Sequence, residues 1–158
     1  MGQDGEGEAG VVMRYPLTFY VDSLPPDVGG CANGPVIRIL KKYRDRKDDG
    51  IYQHELLHVK QWFAVSVFSG LALFFLGMAL TGIFEIDMFA MALLGLGVHS
   101  ILSKFVPEYR LAIEVEAYKR QLRYYDDDRS ELFAGFIATR YNLNITKENA
   151  LKLLKGKL

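Results

Sequence analysis

The chain predicts an α+β fold: a small N-terminal β-hairpin packed on a helical core, with an apolar helical hairpin inserted into that core. Three observations lead there. Runs that read as strands, rich in β-branched and aromatic residues, fall within the first 40 positions. Helical periodicity dominates after Gly50. Two stretches, 61–84 and 88–103, contain no charged residue, while the flanking segments hold nearly all the charge.

A chain of 158 residues makes one ordinary domain. Its expected extent is 11–158, with the apolar hairpin inserted at about 62–106. Residues 1–10 (MGQDGEGEAG) are acidic and Gly-rich, with no basic region or apolar stretch of a signal peptide, and are expected to be a disordered tail. Nineteen basic and nineteen acidic residues give a formal net charge of zero, so no global field points to nucleic acid. The single cysteine, Cys31, excludes a disulfide within the chain and fits a reducing compartment. Its expected role is that of an inert thiol rather than a switch on a metal.

Taken in order, residues 11–21 (VVMRYPLTFYV) read as a strand, interrupted or edged at Pro16. Residues 22–35 carry paired prolines, paired glycines and Asn33-Gly34, which is loop chemistry. Residues 35–40 (PVIRIL) read as a second strand, expected to pair with the first as a hairpin with a long loop. Its edge could receive an extended peptide. The mixed-charge run 41–49 reads as a solvated strand end and turn. Asp48 or Asp49 is the expected N-cap of a helix that starts near Ile51 and runs on into the apolar stretch.

The 24 uncharged residues from Gln61 span about 36 Å as a helix, enough to cross a bilayer core. Glu85, Ile86 and Asp87 form an acidic turn. The second stretch has 16 residues and reaches membrane length if Lys104 snorkels to the interface, with Pro107 ending it. Basic residues at the open end and an acidic turn match a hairpin with both termini cytoplasmic. A buried pair of core helices is the competing reading, but so small a domain can hardly enclose two helices apolar on every face. Ser66, Ser69, Gly70, Gly77, Gly95 and Gly97 offer close-packing surfaces between them. Trp62 and Phe63 are expected to anchor the interface or pack on the strands, and His99 to be a hydrogen-bonded helix-packing residue. Helices then follow at 109–125, at 130–141 and, capped by Thr146, at 147–154.

The chemistry concentrates in His54-Glu55-Leu56-Leu57-His58. On a helix, residues four apart lie on one face, so both imidazoles can hold one ion while Glu55 serves as general base. A catalytic zinc still needs a third protein ligand. The 109–125 helix offers Glu114 and Glu116, which point about 200° apart, so only one can face the metal. Glu114 borders the apolar stripe of Leu111, Val115, Tyr118 and Leu122. Glu116 neighbours Lys119, Arg120 and Arg123 on the solvated side. Periodicity therefore selects Glu114. Tyr109, Tyr118, Tyr124 and Tyr125 include candidate oxyanion-stabilising phenols, with nothing to single one out.

HELLH followed by Glu114-Val115-Glu116-Ala117-Tyr118 resembles the gluzincin metallopeptidases, whose second motif is Glu-x-x-Ala-Asp. The resemblance implies a zincin-like helical core with His54, His58 and Glu114 as zinc ligands and Glu55 as the catalytic base. Tyr118 stands where many members carry Asp, which removes from that position a carboxylate able to hydrogen-bond a metal-bound His. The apolar hairpin between the two motifs is similar to the membrane-integral CAAX-processing and heat-shock endopeptidases. A closer likeness is to small phage- and prophage-encoded peptidases. It is carried by Ala32-Asn33-Gly34-Pro35, Arg38, His54 to His58 with Val59, Gln61 and Trp62, and Tyr109 to Gln121, and covers about residues 30–62 and 107–141.

The expected function is thus a membrane-associated, zinc-dependent peptidase acting on a polypeptide, with its active site on the cytoplasmic side and no nucleic-acid partner. The alternative is a non-catalytic membrane or virion protein in which zinc, if bound, is structural. A third reading is a soluble, cytoplasmic peptidase whose hairpin is a protein interface.

Overall fold

A computed structural model describes residues 16–81 and 87–156; the expected tail, the first part of the expected strand and two residues of the acidic turn lie outside them. The architecture is α+β, with a three-stranded sheet of order β1-β3-β2 and six helices among the described residues. The strands are β1 (Leu17–Val21), β2 (Gly30–Asn33) and β3 (Val36–Leu40). The helices are α1 (Lys41–Asp45), α2 (Asp49–Leu80), α3 (Met88–Phe105), α4 (Pro107–Leu122), α5 (Ser130–Arg140) and α6 (Lys147–Lys155).

The expected pairing of the first and last strands as a hairpin is wrong. β1 runs parallel to β3, and the antiparallel partner of β3 is β2, which lies in the segment read as loop. Asn33 and Val36 are paired, so the turn is Gly34-Pro35 alone. Gly34 sits at φ +58°, and Pro35 cannot follow it to positive φ. That fits the tight hairpin turn needing glycine only at its first central position. β3 is therefore the central strand, and β2, not β3, is the sheet edge beside α2. In β3, Ile37 and Ile39 are buried and flank exposed Arg38, the alternation of a strand with one covered face. The covering helix is α2, whose Ile51 and Val59 complete a compact cluster with the two isoleucines.

The charged run 41–49 also departs from expectation. Lys41–Asp45 form a short helix that tucks Tyr43 against that cluster, and Lys47 at φ +54° turns the chain back. Asp48 then caps α2 by accepting from the Ile51 backbone N–H. A second core lies between α4, α5 and α6, where Val115, Tyr118, Phe133, Ala134, Ile137, Ala150 and Leu154 are buried together. The expected Thr146 cap is present, its hydroxyl accepting from Asn149 N–H.

α2 is one helix of 32 residues, about 48 Å long. Its first turns pack on the sheet and on α4, while its continuation pairs with α3. Both α2 and α3 are long and apolar enough to cross a membrane, and only 11% of each apolar window is buried. They cross at two glycines. A Cβ on Gly95 would lie 2.4 Å from Gly70 N and 3.0 Å from Ser66 O. Ser69 Oγ donates to Gly95 O at 3.0 Å across the same contact. Gly97, two residues on, faces open space. Gly95→Ala is accordingly expected to destabilise the hairpin by roughly 1–3 kcal/mol through overpacking. Gly97→Ala should be neutral or slightly stabilising; thermal unfolding in detergent measures both.

Candidate metal centre

α2 and α4 run antiparallel, and a series of polar contacts fixes their register. Tyr125, just beyond α4, donates its hydroxyl to Asp48 at 2.8 Å. Arg120 donates to Gln53 Oε1 at 2.8 and 3.1 Å. Gln61 Nε2 donates to Glu116 Oε2 at 2.8 Å and reaches the Ile113 carbonyl at 3.4 Å. Gly50 makes the first contact feasible, since a Cβ there would fall 2.6 Å from the Tyr125 ring.

This register sets Glu114 opposite the two histidines of α2. His54 Nε2 and His58 Nε2 are 3.1 Å apart, and each is 3.6 Å from Glu114 Oε2. Donors of a tetrahedral zinc with bonds of about 2.0–2.1 Å are separated by about 3.3 Å, so a triangle of this size suits one small ion. All three groups are largely buried, and among the described residues this is the His/Cys/Asp/Glu group that could hold a metal ion. Glu114 Oε2 is buried with no hydrogen-bond donor, aimed at two imidazole nitrogens. A buried carboxylate oxygen in that position calls for a cation. Burial alone would raise the Glu114 pKa, but the His54 and His58 side chains overcome it and hold the carboxyl well below the usual carboxylate range.

The residues around the triangle orient it. Arg110, one turn before Glu114, forms an ion pair through Nε with Glu114 Oε1 at 2.9 Å. His58 Nδ1 lies 2.9 Å from Gln61 Oε1. Because Gln61 spends its amide N–H groups on Glu116 and Ile113, its oxygen is the end that faces His58. His58 therefore donates from Nδ1 and presents the Nε2 lone pair to the site. Glu116, expected to pair with basic residues of its own helix, instead anchors this relay; Arg120 turns to Gln53. His54 has no such support: its Nδ1 is buried without an acceptor among the described residues. Tyr118 packs edge-on against the His54 ring at 4.5 Å, but its hydroxyl pairs with Tyr141 at 3.0 Å. Burial pushes the Tyr118 phenol up to about 12.

Glu55 is buried beside the triangle against β2, where a Cβ on Gly30 would fall 2.9 Å from its Oε1. Burial raises the Glu55 pKa, partly offset by His54 and His58. The triangle and Glu55 open into a cavity of about 930 Å³ bounded by 26–34, α2, α4 and α5. Cys31 is half-buried on its wall but is outside the donor group, its thiol pushed up by burial and by Glu55. His99 lines the same cavity, with its Nδ1 2.6 Å from the Tyr109 hydroxyl, so the expected hydrogen bond of this helix-packing residue is present. Trp62 stands over the Gly34 turn, where an added Cβ would meet its ring at 3.5 Å, and so packs on the sheet.

Sequence reasoning missed Arg110, Gln61 and Tyr141. Arg110 was readable as the i−4 partner of Glu114. Tyr141, whose ring underlies the Arg110 guanidinium at 5.0 Å, arrives from the end of α5 and leaves no local signal. One divalent ion per chain is expected to bind here, and His58→Ala to abolish stoichiometric binding. Gln61→Leu should weaken affinity about 10–100-fold without loss of fold, read by competition with a chromophoric chelator. No family model, curated protein or solved structure matches the chain.

Proposed function

We propose that the chain is a membrane-tethered zinc metallopeptidase, with His54, His58 and Glu114 as zinc ligands and Glu55 as general base. The observation that carries this reading is the 3.1–3.6 Å donor triangle with a buried, unspent carboxylate beside it on one cavity wall. Two imidazoles and one carboxylate form a donor set that suits zinc, and three protein ligands would leave a fourth position for solvent or substrate. A zinc ion held there would supply Lewis acidity, lowering the pKa of water toward neutrality and polarising a peptide carbonyl.

The chain's own residues account for the remaining steps. Glu55 takes the proton from the attacking water and returns it to the departing amine, a role favoured by a carboxyl raised above its ordinary pKa. Gly30 keeps room for that carboxylate. β2 pairs on one side only and lies along the cavity, so an extended peptide adding to that edge brings its backbone past Glu55. Arg110 holds Glu114 in its ligating orientation.

The membrane part rests on α2 and α3, which expose Phe68, Phe75, Phe89, Leu93 and Phe105 at 62–74% outside the bundle. A contiguous apolar surface of this kind belongs in lipid or against a partner. The basic residues of 41–47 with Lys60, and Lys104 with Arg110, cluster at the open end, which favours that end on the cytoplasmic side.

Glu55→Gln is expected to retain zinc and fold while lowering peptide hydrolysis by about 10²–10⁴-fold. A wild-type chain that holds zinc with no open coordination position and cleaves no peptide would instead make the ion a staple between α2 and α4, as in a membrane or virion structural protein. On carbonate extraction the expressed chain is expected to stay in the membrane pellet; release into the supernatant would assign the hairpin to a protein interface.

A further inference from the structure

The cavity that holds the donor triangle is uneven in charge. Its β2 wall, Gly30 to Gly34, presents neutral backbone and small side chains. Its far wall, from α4 and α5, presents Arg110 and Arg140. Arg110 faces Glu114 Oε1 with Nε at 2.9 Å, a charge contact in which Nε makes no hydrogen bond. Arg140 stacks its guanidinium 3.5 Å over the Phe136 ring and pairs with no carboxylate among the described residues. Other arginines of this region are spent: Arg129 grips Asp127 at 2.9 Å, and Arg120 grips Gln53.

The two guanidinium groups converge on one feature. Arg110 lies 5.0 Å above the Tyr141 ring, and Phe136, on which Arg140 stacks, has its ring centroid 6.4 Å from that of Tyr118. Those two phenols are joined at 3.0 Å. A guanidinium stacked on an aromatic face keeps its N–H edge free, and that edge matches a carboxylate bidentately. Cations held on rigid rings in a partly enclosed cavity also lose less side-chain entropy on binding than a solvated lysine would.

We propose that Arg110 and Arg140 form a carboxylate-binding subsite beside the metal centre, so that the substrate is a polypeptide carrying a carboxylate close to its scissile bond. That carboxylate is either the chain's own C-terminus or an Asp or Glu side chain. The proposal rests on the peptidase reading and adds its substrate class. It explains why an arginine beyond the metal's needs is placed on the cavity wall.

The test uses the full-length Glu55→Gln chain, loaded with zinc in detergent, so that binding is read without turnover. A short peptide pool, randomised over residues other than Asp and Glu, is fluorescently labelled and prepared in three forms: free C-terminal acid, C-terminal amide, and amide with Asp introduced at each position. Anisotropy titration is expected to show about tenfold tighter binding of the acid or the Asp form than of the plain amide, the gain from one charge-assisted contact. Preference for the acid alone identifies the C-terminus, and preference for the Asp form alone identifies the side chain. In the Arg140→Gln background the preference should vanish while amide binding is unchanged; Arg140→Lys should keep part of it. Equal binding of the three forms, or a preference that survives Arg140→Gln in a chain of unchanged circular dichroism, overturns the proposal. Equal binding together with wild-type cleavage would sink this subsite alone, whereas a wild type that binds no form and cleaves nothing would remove the peptidase reading as well.

Discussion

The buried Glu114 carboxylate is the constraint from which the rest of the structure follows. A charge with 2% of its side-chain surface in contact with solvent is tolerated only where opposite charge or lone-pair acceptors of a shared cation surround it. Here two imidazoles and the Arg110 guanidinium do so. For that to happen α4 must lie antiparallel on the first turns of α2 in one register. The contacts of Asp48 with Tyr125, Gln53 with Arg120, and Gln61 with Glu116 are the devices that hold it. None of them is apolar. The apolar clusters lie to either side, one under the sheet and one under α5 and α6. The site is a polar seam between two small cores, and each core fixes one of the helices that meet there.

The two walls of the seam are built for different tasks. β2 approaches Glu55 so closely that a Cβ at position 30 would lie 2.9 Å from Oε1 and displace the carboxylate, which puts a strand edge within reach of Glu55. The α4–α5 side instead packs Tyr118 edge-on against His54 and sets Arg110 over Tyr141, giving a wall of rings and cations. A cavity with one hydrogen-bonding edge and one charged, aromatic face can align an extended chain and read a side group at once.

Much of this was legible in the sequence, for reasons that differ by residue. His54, Glu55 and His58 are local: their relation is fixed by helical spacing alone. Glu114 was found because burial leaves a periodic trace, and its neighbours Val115 and Tyr118 are core residues. β2 was missed because Gly30, Cys31, Ala32 and Asn33 have low strand propensity, and tertiary pairing with β3 overrides it. The parallel alignment of β1 and β3 was missed because two strands in sequence order suggest a hairpin until a third is known to lie between them. Gln61, Glu116 and Tyr141 act through contacts between elements, and no periodicity records those. The short helix α1 hid in a charged run whose single aromatic, Tyr43, is the residue that docks it.

The continuity of α2 ties the site to the apolar hairpin. One unbroken helix carries both, so the height of the donor triangle above the first apolar turn is fixed by helical rise rather than by a flexible linker. From His58 to Trp62 that rise is about 6 Å. Trp62 marks the junction: it stands over the Gly34 turn, lines the site cavity, and also lines an apolar groove between α2 and α3 of about 450 Å³. With the hairpin in a bilayer and an indole at the headgroup level, the donor triangle sits about one helical turn above the membrane surface. A freely diffusing globular protein would meet that surface with its folded bulk and could not lower a loop into the cavity without colliding with lipid. An extended segment already lying at the interface meets no such obstacle. Under the proposed peptidase reading, geometry along a single helix favours membrane-proximal, unfolded polypeptide as the substrate.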